Sequence, residues 1–541
     1  MLAPQQRHCL FFFLAALPLA ATAGSLSSPS LQSWTGWGGN FFNNRWAESR
    51  AITTKTIQSS LNRKCYLTYP FGVSATPVID GKTVYYPTWN GSFVALDYTT
   101  CEVQWMINVT KIIHDSTGGG PLHPQTEMLY RVSRTSPQID GNVLYFGTQA
   151  QALMVAVDRF KGGKVLDVIR INPHPLAVVT LSPTFWGGLL FTGSGSYEEP
   201  APLMFPGYKC CNFTGNMVAL EFNKRSNKFK VKWDIATLPE DGDEGWSGAG
   251  VWGSQPAIDP FGKQVFFATG NVYSFPPKYA HCANQTSDCM PKGVNQEAVI
   301  AIDITSGRTN WVRRVNRMDA WNGACFTTPI DKVNCPSEPP GTDSDFGMAP
   351  SFIPRSMSEL RVDAVVVAQK NANIYALSSL TGEIIWQRNV SPDKQGGGIS
   401  WGIAMDDKRI YYSLPYSINI AQFNVSTSVY GAASLKDGSN MWQTSATRDS
   451  NSIVMTPPTV VGELAIWPRT GVVGGDGLYF NSQGALIVID KKTGEIIKEM
   501  DVDTNFNGGI AVHGEYVMFG TGYRNGQSYL GNGSLYVMTV G

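Results

Sequence analysis

Charge is scarce in this chain. Only 16% of its 541 residues are Asp, Glu, Lys or Arg, and 42 basic side chains cancel 42 acidic ones. A neutral chain with no basic stripe is not built to hold nucleic acid. Histidine is scarcer still: six residues, scattered and without an HExxH pair, which argues against a His-based zinc centre. The sequence has no Walker loop, no GxGxxG opening a helix, no GxSxG elbow and no CxxCH, so covalent c-type haem is not encoded. Its one marked apolar run, Cys9 to Ala21, falls short of the ~20 residues that span a bilayer. Stable membrane insertion is not expected.

That same run reads as the core of a secretory signal peptide over residues 1–23. Arg7 and His8 precede it, and small residues, Ala21-Thr22-Ala23, follow it before Gly24. Eight cysteines remain beyond it, an even count that favours disulfides in an exported chain. Cys282/Cys289 and Cys325/Cys335 are local loop closures, and Cys65/Cys101 is left by elimination. The adjacent Cys210 and Cys211 are candidates for a vicinal ring. Sequons at Asn90, Asn108, Asn212, Asn284, Asn389, Asn424 and Asn532 fit a secreted, N-glycosylated protein.

Glycine (55 residues) and aromatics (11%) are plentiful, which suits short strands joined by turns. One unit recurs: a strand of the type VxALD, a Gly-bearing turn, then a second strand often ending in Trp. It appears as GSFVALDYTTCEVQW (91–105), ALMVAVDRFKGGKVLDV (152–168), GNMVALEFNKRSNKFKVKW (215–233), EAVIAIDITSGRTNW (297–311) and NIYALSSLTGEIIW (373–386). Weaker copies are YGAASLKDGSNMW (430–442) and GALIVIDKKTGEIIKEM (484–500). A further strand pair precedes most copies, and four antiparallel strands per unit make a propeller blade. The last copy, GSLYVMTV (533–540), lacks its outer strand, while the N-terminal part holds a spare one, RKCYLTYP. Pairing the two would close the ring and remove free edges. The expected fold is all-β: one eight-bladed propeller over residues 24–541, closed by its two terminal strands. Seven blades would require one weak copy to be illusory.

The extra length lies in loops 186–214, 234–255, 272–296 and 316–349, which carry most of the candidate chemistry. Trp252, between small residues in GAGVWGSQ, offers an indole face to a planar ligand. Glu198, Glu199, Asn271 and Asp319 end strands or open loops, and their oxygens suit Ca²⁺. Lys370, at the end of DAVVVAQK, and Arg131 and Arg134, in YRVSRTSP, suit anionic cofactor groups.

From about Trp34 onward the chain resembles the PQQ-dependent quinoprotein alcohol dehydrogenases, most nearly the polyvinyl alcohol dehydrogenase-like branch without a haem domain. The resemblance rests on SWTGWGGNFFNNRWA, SRTSPQIDG, the Glu198-Glu199 loop with Cys210-Cys211, SGAGVWGSQPAIDP, ATGNVYSFPP, MDAWNGAC, AQKNANIYAL and GGGISWG. It implies an eight-bladed propeller with pyrroloquinoline quinone (PQQ) in the channel and Ca²⁺ beside it. Trp252 would stack under the quinone, and Glu198, Asn271 and Asp319 would serve the metal. Arg134 would pair with a cofactor carboxylate, Lys370 would bond near the quinone carbonyls, and Cys210-Cys211 would form a lid. The family's catalytic aspartate follows the tryptophan of the MDAWNGAC motif. Here Asn322 holds that place, so Asp319 is the expected base. Electrons from a small or polymeric alcohol would pass to an external acceptor. A binding propeller that has lost quinone chemistry, and a metal-dependent hydrolase or lyase, are the competing expectations.

Overall fold

The computed structural model describes residues 34–118, 130–205, 207–239, 245–284, 289–327, 329–391, 398–415, 418–419, 424–425, 428–446, 452–472, 483–524 and 531–541. The proposed signal segment and the side chains of Asn284 and Asn424 lie outside that set. The strands form eight four-stranded antiparallel blades. Blades 1 to 7 span residues 78–108, 138–170, 184–236, 257–314, 351–389, 404–445 and 459–501, each running from an inner to an outer strand. Blade 8 takes its inner three strands from Ile510–His513, Tyr516–Gly520 and Asn532–Val540. Its outer strand is Leu61–Pro70, paired antiparallel to Asn532–Val540. The expected eight blades and the terminal closure are both observed.

The repeated tryptophan explains how neighbouring blades grip. Trp311, on the outer strand of blade 4, donates its indole N–H to Ser379 O in blade 5 at 2.9 Å. A Cβ on Gly382, which has φ 68°, would sit on the Trp311 ring. Glycine therefore serves both the left-handed turn and the close approach there. The same indole bond joins Trp105 to Arg159 O, Trp233 to Ile304 O, Trp386 to Leu435 O and Trp442 to Lys491 O. The outer strand of blade 8 carries no tryptophan, and at that junction Cys65 is disulfide-bonded to Cys101 of blade 1. The other three expected pairs, Cys210–Cys211, Cys282–Cys289 and Cys325–Cys335, also form.

The stretch 34–47 winds around the inside of the ring. Its carbonyls accept from the inner strands in turn: Trp34 from Ile79, Phe41 from Ile258, Phe42 from Phe352, Asn44 from Met405 and Arg45 from Val460. Arg45 is fully buried between Trp34 and Trp37, 5.4 and 5.2 Å from their ring centroids. It reaches the carbonyls of Pro458 and Ile510. This segment plugs the channel.

In each blade, the loop from second to third strand and the exit from the fourth strand open on one face. The four long insertions lie there. So do the five described sequon residues, Asn90, Asn108, Asn212, Asn389 and Asn532, all exposed. No helix among the described residues is long and apolar enough to cross a membrane.

Candidate functional site

Strand Gln264–Ala268 of blade 4 is buried at every position. Its alternating bulky residues fill the gaps to both neighbouring blades. It delivers Asn271 to the site-bearing face. The amide of Asn271 is held by two carbonyls: Nδ2 donates to Trp321 O at 2.8 Å and to Val272 O at 3.1 Å. That fixes which end of the amide is oxygen. Oδ1 is fully buried and has no hydrogen-bond partner among the described residues. Buried polar atoms are almost always paired, so this one points to a missing electrophile.

Three carboxylates gather beside it. Oxygens of Glu199, Asp343 and Asp345 lie within 4.8 Å of one another. Asp345 Oδ1 accepts from the Asn271 N–H at 2.6 Å, and its Oδ2 accepts from Trp252 Nε1 at 3.1 Å. Gly270 lets this carboxylate approach, since a Cβ there would lie 2.7 Å from Asp345 Oδ1. Lys370 Nζ donates to Asp343 at 2.6 Å and to Asp345 at 3.2 Å. Glu199 Oε1 is buried without a partner among the described residues.

One lysine faces three acids, and burial sharpens the imbalance. Burial pushes the Glu199 carboxyl well above the carboxylate range, the charges of Asp343 and Asp345 add to this, and Lys370 opposes it. Burial likewise pushes Asp343 up to about 7, with Lys370 pulling down and Asp345 pushing up. Burial alone would lower Lys370, but Asp343, Asp345 and Glu199 hold it well above its ordinary value.

Trp252 stands at the wall of a cavity on the channel axis. Its carbonyl accepts from Thr180 Oγ1 at 2.8 Å, and Lys370 Nζ lies 5.5 Å from its ring centroid. Gly195 and Gly347 leave room for the indole, because a Cβ on either would press against it. Arg134, Trp37, Trp401, Tyr523 and Asn507 line the same cavity. Arg134 donates to Tyr523 OH at 2.8 Å. Asn507 Oδ1 is a further buried oxygen without a partner among the described residues.

The structure brings Trp252, Asn271 and Lys370 together around Asp345, and sets Arg134 on the cavity wall. Glu198 is buried, and its carboxylate accepts from Tyr208 OH, Asn212 N and Phe213 N at 2.7 to 3.0 Å. Burial would raise this carboxyl, but His174, Tyr208 and the Phe213 N–H hold it below its ordinary value. Asp319 is also buried. Its carboxylate accepts from Ser344 N at 2.8 Å, Thr342 Oγ1 at 3.0 Å and Asp343 N at 3.3 Å. Asn322 caps the turn Gly323–Phe326 through Ala324 N and donates to Tyr273 O and Asn334 O. Its Nδ2 lies 3.9 Å from Cys211 Sγ.

Sequence reasoning marked the 316–349 insertion but not Asp343 and Asp345 within it. The signal available was two aspartates one residue apart in the Gly-flanked run GTDSDFG. Trp401 lies in the motif GGGISWG, whereas Tyr523 and Asn507 carry no local pattern and are joined to the site only by ring closure.

The fold is that of the quinoprotein alcohol dehydrogenases. Quinohemoprotein alcohol dehydrogenase from Comamonas testosteroni superposes with a TM-score of 0.66 at 16% identity, over 94% of this chain and 80% of that one. A europium-containing methanol dehydrogenase gives 0.66 at 14% identity, over 95% and 99% of the two chains. In sequence, the chain is 27% identical over 435 residues to polyvinylalcohol dehydrogenase from a Pseudomonas species, covering 78% of this chain and 60% of that protein. Polyvinylalcohol dehydrogenase from Sphingopyxis sp. (strain 113P3) is 26% identical over 398 residues, 70% and 54% of the two lengths. The chain thus spans little more than half the length of these relatives. No family model matches it. The resemblance read from the motifs, to the polyvinyl alcohol dehydrogenase-like branch of the quinoproteins, is borne out.

Proposed function

We propose that this protein is an alcohol dehydrogenase that uses PQQ beside a Ca²⁺ ion and delivers electrons to an external acceptor. The observation that carries the reading is the pair of buried, unpartnered oxygens, Asn271 Oδ1 and Glu199 Oε1, beside Asp345 and Trp252. Amide and carboxylate oxygens are the donors a hard cation takes, so the residues fit the metal. The aromatic walls and Arg134 fit a flat polyanion such as a tricarboxylate quinone.

The metal donors are Glu199, Asn271 Oδ1 and Asp345; Glu199 takes the place that the sequence reading gave to Glu198. When bound, the quinone supplies the two-electron acceptor and the cation supplies Lewis acidity. The protein supplies the rest. Trp252 offers its face for stacking, with its indole N–H pinned by Asp345. Arg134 holds a carboxylate of the cofactor. Asp343 accepts the proton of the alcohol O–H, in the role first given to Asp319. Its pKa, raised by burial to about 7, suits a base working near neutrality. Lys370 fixes the base at 2.6 Å and balances its charge. Asp319 and Asn322 serve the frame, holding the turn before Asp345 and the turn after Trp321.

Export and glycosylation belong to the same reading. The four disulfides and the exposed sequon residues support it. The test is to reconstitute the purified protein with PQQ and Ca²⁺ and follow dye reduction over a panel of primary, secondary and polymeric alcohols. Turnover that needs both additions is the expected result. Saturating quinone with no turnover on any alcohol would refute the activity.

A further inference from the structure

We propose that Glu198 is a positioning residue: its buried carboxylate is the post around which residues 208–213 are wound, and it holds the Cys210–Cys211 pair at the edge of the site. This rests on the reading above only for what the pair covers. The geometry stands apart from it.

The donors to Glu198 bracket the cysteines. Tyr208 OH reaches Oε1 at 2.7 Å from one side. The consecutive N–H groups of Asn212 and Phe213 close on the carboxylate from the other, at 3.0 and 2.7 Å. His174 stands beside these donors. Its Nδ1 accepts from Leu176 N, so Nε2 carries the hydrogen, facing Asn212 Oδ1 at 2.8 Å and Glu198 at 3.6 Å. The outer side of the pair is held by the neighbouring loop, where Asn334 Oδ1 accepts from Cys210 N at 3.0 Å.

A fully buried carboxylate is tolerated only while its oxygens are satisfied. If residues 208–213 swung away, Glu198 would lose three donors at once. Loop closure and carboxylate burial are therefore coupled, and the vicinal pair stays docked. The adjacent glutamates divide the work. Glu199 keeps an unpartnered oxygen for a cation, while the Glu198 oxygens are taken by the loop.

The experiment compares Glu198→Gln, Glu199→Gln and Tyr208→Phe in the full, metal-stripped chain. One readout is the rate at which Cys210 and Cys211 become alkylatable under a fixed reductant, followed by mass spectrometry. The other is Ca²⁺ affinity by calorimetry. Losing a charge-assisted hydrogen-bond set should speed reduction of the pair by about tenfold or more in Glu198→Gln. Tyr208→Phe, which keeps the carboxylate and removes one donor, should give a smaller acceleration and serves if the glutamate variant folds poorly. Glu199→Gln should reduce at the wild-type rate and lose Ca²⁺ affinity. The proposal is overturned if Glu198→Gln weakens Ca²⁺ as much as Glu199→Gln does, or if reduction is no faster in both Glu198→Gln and Tyr208→Phe. Failure of the dehydrogenase reading would leave the reduction rates unaffected, so the two failures are distinguishable.

Discussion

At the scale of single residues, the site is a charge problem that the protein leaves open. Three carboxylates share one lysine, and two buried oxygens have no donor among the described residues. Such a cluster is stabilised by a cation that binds only the folded state. Chelation should lower Tm, and added Ca²⁺ should restore it, by about 2.7 kcal/mol of stability at 100-fold excess over Kd. The sign of the pH effect follows from Asp343. Its folded value, about 7, is raised above the unfolded one. The stability it gives the metal-free chain is therefore fully present at acid pH and lost as pH rises through about 7. The Ca²⁺-dependent increment in Tm should grow between pH 5 and pH 8, both read by calorimetry. Asp319→Asn should cost about 1–3 kcal/mol, because it weakens acceptance from Ser344 N and Thr342. Its Ca²⁺ affinity should fall as well, since that turn carries Asp343 and Asp345. Trp252→Ala should abolish quinone uptake in an absorbance titration while leaving Ca²⁺ binding measurable.

At the scale of elements, five blades seat the outer-strand tryptophan of the blade before them. Gly382→Ala combines a left-handed backbone penalty of about 1–2 kcal/mol with displacement of the Trp311 ring. The denaturant midpoint should fall accordingly, with no change in Ca²⁺ affinity. The repeat made these strands readable in advance, because VxALD, Gly and Trp recur at fixed offsets and each has a packing role. Site loops lack such redundancy. Asn271 was legible from its place at a strand end. Neighbouring residues in a turn point different ways, so Glu198 and Glu199 could not be told apart before their partners were seen. Asp343 and Asp345 sit late in the 316–349 insertion, whose path follows from the Cys325–Cys335 bond and the hold of Asp319, neither visible as a pattern. The role of residues 34–47 was hidden for the same reason: its bonds go to blades hundreds of residues away.

At the scale of the whole molecule, closure depends on two chain ends meeting in one blade. The Cys65–Cys101 bond fastens that blade to blade 1, at a junction that has no indole latch. Replacing both cysteines by serine should cost about 2–5 kcal/mol, read as a lower unfolding temperature. The loss should exceed that of replacing the Cys282–Cys289 pair, whose loop closes only seven residues. With the channel plugged by residues 34–47, the proposed site opens on the face that also carries the five described, exposed sequon residues.

The central claim is that a hard cation sits between Glu199, Asn271 and Asp345, against the edge of Trp252. Anomalous diffraction from crystals grown with PQQ and Ca²⁺ tests it most directly. One strong peak is expected within about 2.3–2.6 Å of Asn271 Oδ1 and of oxygens from Glu199 and Asp345. A peak on Glu198, or no peak in a crystal whose density shows bound quinone, would contradict it.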